Sequence, residues 1–138
     1  MKPIILDTNI LLDIFVFEDV RASQLRNAVL NQQIKAYSNQ ASAAELKDVI
    51  SRPLFSLEKK RQAEIMGQWQ SLSQSMEDIN LEAAPWKCQD PDDQVFLDIA
   101  FTLRPSILIS KDNAVLKLAS RALKEGVLIT PDYNAFTF

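Results

Sequence analysis

Short unbroken apolar runs alternate along this chain with longer stretches in which apolar residues recur every three or four positions. The first pattern suits a strand buried on both faces, the second a helix with one face on a core. Residues 3–6 (PIIL) form the first run and end at Asp7; Thr8 or Asn9 is placed to cap a helix carrying Ile10, Leu11, Ile14 and Phe15 on one stripe. Residues 20–31 repeat the helical spacing through Ala22, Leu25, Val29 and Leu30, and 34–37 return to a strand pattern. Ser42 stands three positions before Glu45, the capping-box distance, and opens the helix AAELKDVI, which Pro53 ends. A long polar helix is expected over 56–76, with Ile65, Trp69, Leu72 and Met76 on a stripe that reads as core packing. A short strand over 79–83, a loop over 85–91 and a helix over 92–103 follow, the helix turning Val95, Phe96, Ile99 and Ala100 inward. Residues 106–110 (SILIS) form another buried run, with Lys111 and Asp112 at its end. Asn113 is placed to cap a helix that stops at Gly126, and 127–130 make a last strand before Pro131. Strands alternating with helices predict an α/β fold, a central parallel sheet covered on both faces. With no linker, repeat or low-complexity stretch, residues 1–138 read as a single domain.

Composition narrows the chemistry. At 138 residues, 47% hydrophobic and 24% charged, the chain can bury roughly two-thirds of its unfolded surface without a staple. Its one cysteine, Cys88, cannot close an internal disulfide, which fits a reducing compartment and a small packing role. The opening MKPIILDTNILLDIF is interrupted by Asp7 and Asp13, unlike a signal peptide, and no stretch reaches the length of a membrane span; a cytoplasmic protein without a membrane partner is expected. The absence of histidine excludes a Ser-His-Asp triad, a Cys-His pair and histidine-ligated zinc. Two glycines in the whole chain exclude a glycine-rich phosphate cradle. A net charge of −3 has the wrong sign for simple attraction to nucleic acid, unless bound cations invert the local field.

Carboxylates remain. Asp7 and Asp112 each follow an apolar strand, and in open α/β sheets ligands bind outside the carboxyl ends of strands. Glu45, near the start of the helix after the second strand, can face the same edge, and Asp90, Asp92 and Asp93 form a dense acidic entry to a later helix. Each acid has an ordinary reading as well: Asp7 beside Thr8 and Asn9 is cap chemistry, Glu45 a capping-box residue, Asp92 and Asp93 partners of a helix dipole, and Asp98 an exposed mid-helix position. Together they repel one another, and a hard divalent cation such as Mg²⁺ or Mn²⁺ relieves that repulsion. One or two such ions can activate water and clamp a phosphodiester without histidine, cysteine or a glycine loop.

The segments ILDTNILLDIF, SAAELKDVISRP, DPDDQVFLDIA and SILISKDNAVLKL, in that order, resemble the PIN-domain family over essentially the whole chain, and within it the bacterial VapC-like toxin components of toxin–antitoxin pairs. The resemblance implies a three-layer α/β/α PIN-like fold and a Mg²⁺- or Mn²⁺-dependent endoribonuclease acting on RNA. It implies a cognate antitoxin partner and a homodimer as well. Carried over by position, the acids are Asp7, Glu45, Asp93 and Asp112, with Asp93 chosen over Asp92 because it lies seven residues before Ala100. Asn9 and Ser38 match supporting polar positions, Ser110 supplies the hydroxyl of the fourth segment, and Asp90 and Asp92 are extra acids of the DPDD form. The acidic balance and the SKDN form of the fourth segment depart from the family pattern. On this reading Asp7, Glu45 and Asp93 hold a cation, Asp112 completes its surroundings or orients a second ion, and Lys111 is a candidate to stabilise the leaving oxygen. Two alternatives stand beside it: a phosphotransfer enzyme using Asp7 as nucleophile, and a PIN-like module that binds RNA or protein without catalysis.

Overall fold

In the computed structural model, which describes residues 2–136, five strands lie in one sheet: Pro3–Leu6 (β1), Lys35–Ser38 (β2), Gln74–Ser75 (β3), Ser106–Ile109 (β4) and Val127–Thr130 (β5). Their order is β3-β2-β1-β4-β5 and every pairing is parallel. Side chains alternate across a strand, and the two cores follow that alternation. Ile4, Leu6, Ile107 and Ile109 face one core, while Ile5, Leu108, Val127 and Ile129 face the other. The first core is closed by residues of Thr8–Phe15 (α1), Ser23–Leu30 (α2), Gln40–Ile50 (α3) and Lys59–Leu72 (α4). The second is closed by Gln94–Thr102 (α5), Asn113–Leu116 (α6) and Ala119–Lys124 (α7). The result is the expected three-layer arrangement of helix, sheet and helix. Ile65 and Trp69 are buried in the first core, Trp69 edge-on to Phe15, and Leu72 packs against it. Helix α4 is shorter than the expected 56–76, so Met76 falls beyond it and packs against the second core.

Several local expectations are corrected. The cap of α1 is Asp7 rather than Thr8 or Asn9: its carboxylate accepts the Ile10 N–H at 3.1 Å. The capping box of α3 is formed by Asn39 and Ser42, each side chain taking the other's backbone N–H at 2.8 and 2.9 Å, so the helix starts before Ser42 and leaves Glu45 out of the cap. Asp112, not Asn113, caps α6 through the Ala114 N–H at 2.8 Å. The helix expected to run to Gly126 is divided into α6 and α7, with a tightened turn where the Leu118 N–H bonds Val115. No strand forms over 79–83; a 3-10 turn covers Asp78–Asn80 and the edge strand is β3, two exposed polar residues too short to show any alternation. Asp98 is half-buried rather than exposed, accepting from Ala84 N–H at 2.8 Å and from the Gln94 amide at 3.0 Å.

The chain adds β2 and then β3 on one side of β1, and returns to add β4 and β5 on the other. The winding therefore reverses between β1 and β4, the place where an open α/β sheet leaves a crevice at its carboxyl edge. Leu6 lies beside Ile109 in the register, and the Asp7 N–H continues the ladder to the Ile109 carbonyl at 3.3 Å. Asp7 and the segment Ser110, Lys111 and Asp112 thus leave the sheet side by side.

Candidate metal centre

Asp7 is 2% exposed. Its Oδ1 is committed to the helix cap, whereas Oδ2 is buried with no hydrogen-bond partner among the described residues. Loss of water pushes its pKa from 3.8 up to about 6; Ser110 and the Ile10 N–H pull it down, Asp112 pushes it further up, and Lys111 draws it back. Ser110, fully buried beside the Asp7 carboxyl, takes the Asp112 N–H on its hydroxyl at 3.1 Å, so one side chain adjoins both acids.

The third acidic segment enters α5 through a 3-10 turn, Pro91–Asp93, which Asp90 caps by accepting the Asp92 N–H. That turn points Asp93 at Asp112. Carboxylate oxygens of Asp90, Asp93 and Asp112 lie within 4.8 Å of one another, a tight acidic group among the described residues. Asp93 Oδ2 is buried and likewise has no hydrogen-bond partner among those residues. Its carboxyl is held well above the ordinary range, first by desolvation, then by the Asp112 carboxylate beside it, with Asp90 and Asp7 adding to the repulsion.

These acids open into a cleft of about 230 Å³, lined also by Thr8, Asn9, Asp92, Glu45, Val49, Arg52 and Phe55. Glu45 is half-buried, and burial followed by the charge of Asp92 raises its pKa, while Arg52 opposes the rise. Of the residues singled out from sequence, Asn9, Glu45, Asp92, Asp93 and Asp112 meet in this cleft, and Asp7 and Ser110 lie behind it. Ser38 does not join them. It bonds the Ser73 hydroxyl at 2.8 Å and lines a separate cavity of about 530 Å³ with Gln40, Ala43, Met66 and Met76, on the face of α3 opposite Glu45 and Val49. Lys111 turns out of the cleft as well, its ammonium 2.6 Å from Asp13. Asp90 is the residue that sequence reasoning set aside as an extra acid; the signal was present in the Asp90-Pro91 pair, since a capped proline turn folds its own capping carboxylate back toward the next acids.

The Asp90, Asp93 and Asp112 carboxylates, with a buried Asp93 oxygen that has no donor among the described residues, form an all-oxygen set that fits a hard divalent cation. Left to themselves such groups repel, and protons or cations must neutralise them.

A family model described as a PIN domain matches residues 3–114, and the chain belongs to the PIN-domain family. Among solved structures it is similar to a chain in the crystal structure of VapBC2 from Rickettsia felis bound to a DNA fragment from their promoter. The TM-score is 0.58 at 12% sequence identity, covering 93% of this chain and 98% of that one. At that identity the likeness is one of fold. No curated protein matches the chain by sequence. Among the described residues no helix is long and apolar enough to cross a membrane.

Proposed function

We propose that this protein is a divalent-cation-dependent endoribonuclease and the toxin of a toxin–antitoxin pair. The observation that carries the nuclease reading is the group of Asp90, Asp93 and Asp112 carboxylates within 4.8 Å of one another, with Asp93 Oδ2 buried and without a partner among the described residues and the buried Asp7 close enough to raise the Asp93 pKa. Asp90, Asp93 and Asp112 would hold Mg²⁺ or Mn²⁺, with the buried Asp7 carboxylate near Asp93 and Glu45 lining the same cleft. Such an ion supplies Lewis acidity to a phosphodiester and lowers the pKa of a water near neutrality. The chain's own residues supply the rest. Asp7, fixed by its cap bond, holds one wall rigid. Glu45, which lines the same cleft and has its proton affinity raised, would take a proton from an attacking water through a carboxylate oxygen. Arg52, which also lines the cleft and pairs with Asp48 at 3.0 Å, offers its remaining N–H groups to a phosphate oxygen. The asparagine at position 9, exposed at the mouth, can hydrogen-bond the substrate backbone.

RNA as the substrate, a cognate antitoxin, a homodimer and a cytoplasmic location complete the proposal. They are supported by the sequence's resemblance to the VapC-like group and by the likeness to a chain of the VapBC2 complex. The test is incubation of the purified protein with defined RNAs in Mg²⁺, Mn²⁺ or chelator, beside Asp7→Asn and Asp93→Asn. Cleavage that needs the ion and disappears in both variants is expected; undiminished cleavage in chelator or in Asp7→Asn rejects the mechanism.

A further inference from the structure

Six residues after Asp7 on α1 stands a second buried acid, Asp13, 4% exposed and outside the cleft. Its Oδ2 receives two donors from distant parts of the chain: the Lys111 ammonium at 2.6 Å and the Tyr133 hydroxyl at 2.7 Å. Lys111 lies between Ser110, which sits beside Asp7, and Asp112, which faces Asp93. Tyr133 belongs to the segment after β5. One carboxylate oxygen therefore ties the helix that begins at the first acid, the loop that carries the last acid, and the C-terminal segment.

We propose that Asp13, Lys111 and Tyr133 form an ion-paired strap that fixes the loop Ser110-Lys111-Asp112 and so sets the Asp112 carboxylate for cation binding. The inference rests on the cation reading above and makes all three positioning residues. Stability alone explains the strap poorly, because the Lys111 side chain is 37% exposed and an ion pair screened by solvent on one side gains little Coulombic energy. Its placement explains it better. Lys111 has Asp112 on one side and, on the other, Ser110, whose hydroxyl takes the Asp112 N–H, so movement of its backbone moves both. A small displacement of a supporting group commonly weakens metal affinity by 10- to 100-fold, roughly.

The sign of one substitution separates positioning from simple charge. Removing the Lys111 ammonium makes the neighbourhood more negative, and by field alone a divalent cation would bind more tightly. The strap demands the reverse. Mn²⁺ titration calorimetry on the full chain, with unfolding followed in chelator, reads both. Lys111→Met is expected to weaken Mn²⁺ binding by about tenfold or more. Lys111→Arg, which retains the ion pair, restores most of the affinity. Tyr133→Phe, which deletes one hydrogen bond and keeps the ring, gives a smaller fall and decides the matter if Lys111→Met does not fold. Wild-type affinity or better in Lys111→Met and Tyr133→Phe overturns the strap while leaving the cation site standing. A wild-type protein that takes up no Mn²⁺ overturns both, so the two failures are distinguishable.

Discussion

Asp7 ends β1 and caps α1 with the same carboxylate, so its position is set by backbone geometry on both sides. One oxygen has the Ile10 N–H; the other is buried with no hydrogen-bond partner among the described residues. The neutral form suits that place better, which is why burial raises its pKa from 3.8 to about 6. A raised folded-state pKa means stability that is whole below the unfolded value and is lost as pH climbs through the folded one. For Asp7 the loss runs from about pH 4 to just above 6 and amounts to about 3 kcal/mol, at about 1.4 kcal/mol per pH unit. Asp93, raised for the same reason and by Asp112, extends the decline to higher pH. In chelator, the thermal midpoint is therefore expected to fall between pH 4 and 7. Asp7→Asn keeps a capping oxygen and removes the buried charge, so it should flatten that decline and unfold at a higher temperature than wild type above pH 6. Parallel melting curves across this range check it; identical profiles for the two proteins would contradict the assignment.

At the scale of elements, caps decide where the acids point. The box on α3 closes between Asn39 and Ser42, leaving Glu45 to face the cleft. Asn39→Ala is accordingly expected to cost at least about 1 kcal/mol. Glu45→Ala removes a partly exposed acid that supports no cap, and should stay within about 0.5 kcal/mol or stabilise slightly without cation. Urea unfolding of the two variants compares them directly; an equal loss in Glu45→Ala would restore the box that spacing alone suggests. The same element shows where sequence reasoning holds and where it stops. Apolar runs such as 3–6 and 106–109 lie between two cores, so their composition announces buried parallel strands, and the places of Asp7 and Asp112 just beyond strand ends follow from them. Caps were displaced by one to three residues because Ser, Asn and Asp cluster at 7–9, 38–42 and 110–113, and any of them satisfies the local chemistry. The strand β3 carries no pattern in two polar residues, and Ser38 faces the far side of α3 because register, not residue type, decides its direction. Asp90 joined the acids through a turn whose course depends on packing against α5, and Lys111 left them for Asp13, a partner 98 positions away that no local pattern connects to it.

On the scale of the whole molecule, the site sits where both cores meet. Strands β1 and β4 present alternate residues to each core, and the acids leave from their adjoining ends. Unfolding of either face separates Asp7 from Asp112, so a cation that binds the assembled cleft is linked to global stability rather than to one loop. At a concentration about 100 times its dissociation constant the linkage is about 2.7 kcal/mol. For a domain of this size that raises the thermal midpoint by roughly 5–15 °C. Mn²⁺ should produce this shift in wild type and little of it in Asp93→Asn, where a donorless buried oxygen has been replaced. The net charge of −3 offers a competing cause, since any salt screens repulsion among acids. Potassium chloride at matched ionic strength separates the two: screening acts on wild type and variant alike, whereas binding requires the carboxylates to be present together. Equal shifts from K⁺ and Mn²⁺, or from wild type and Asp93→Asn, would leave the cluster as a strained surface feature with no ion to relieve it.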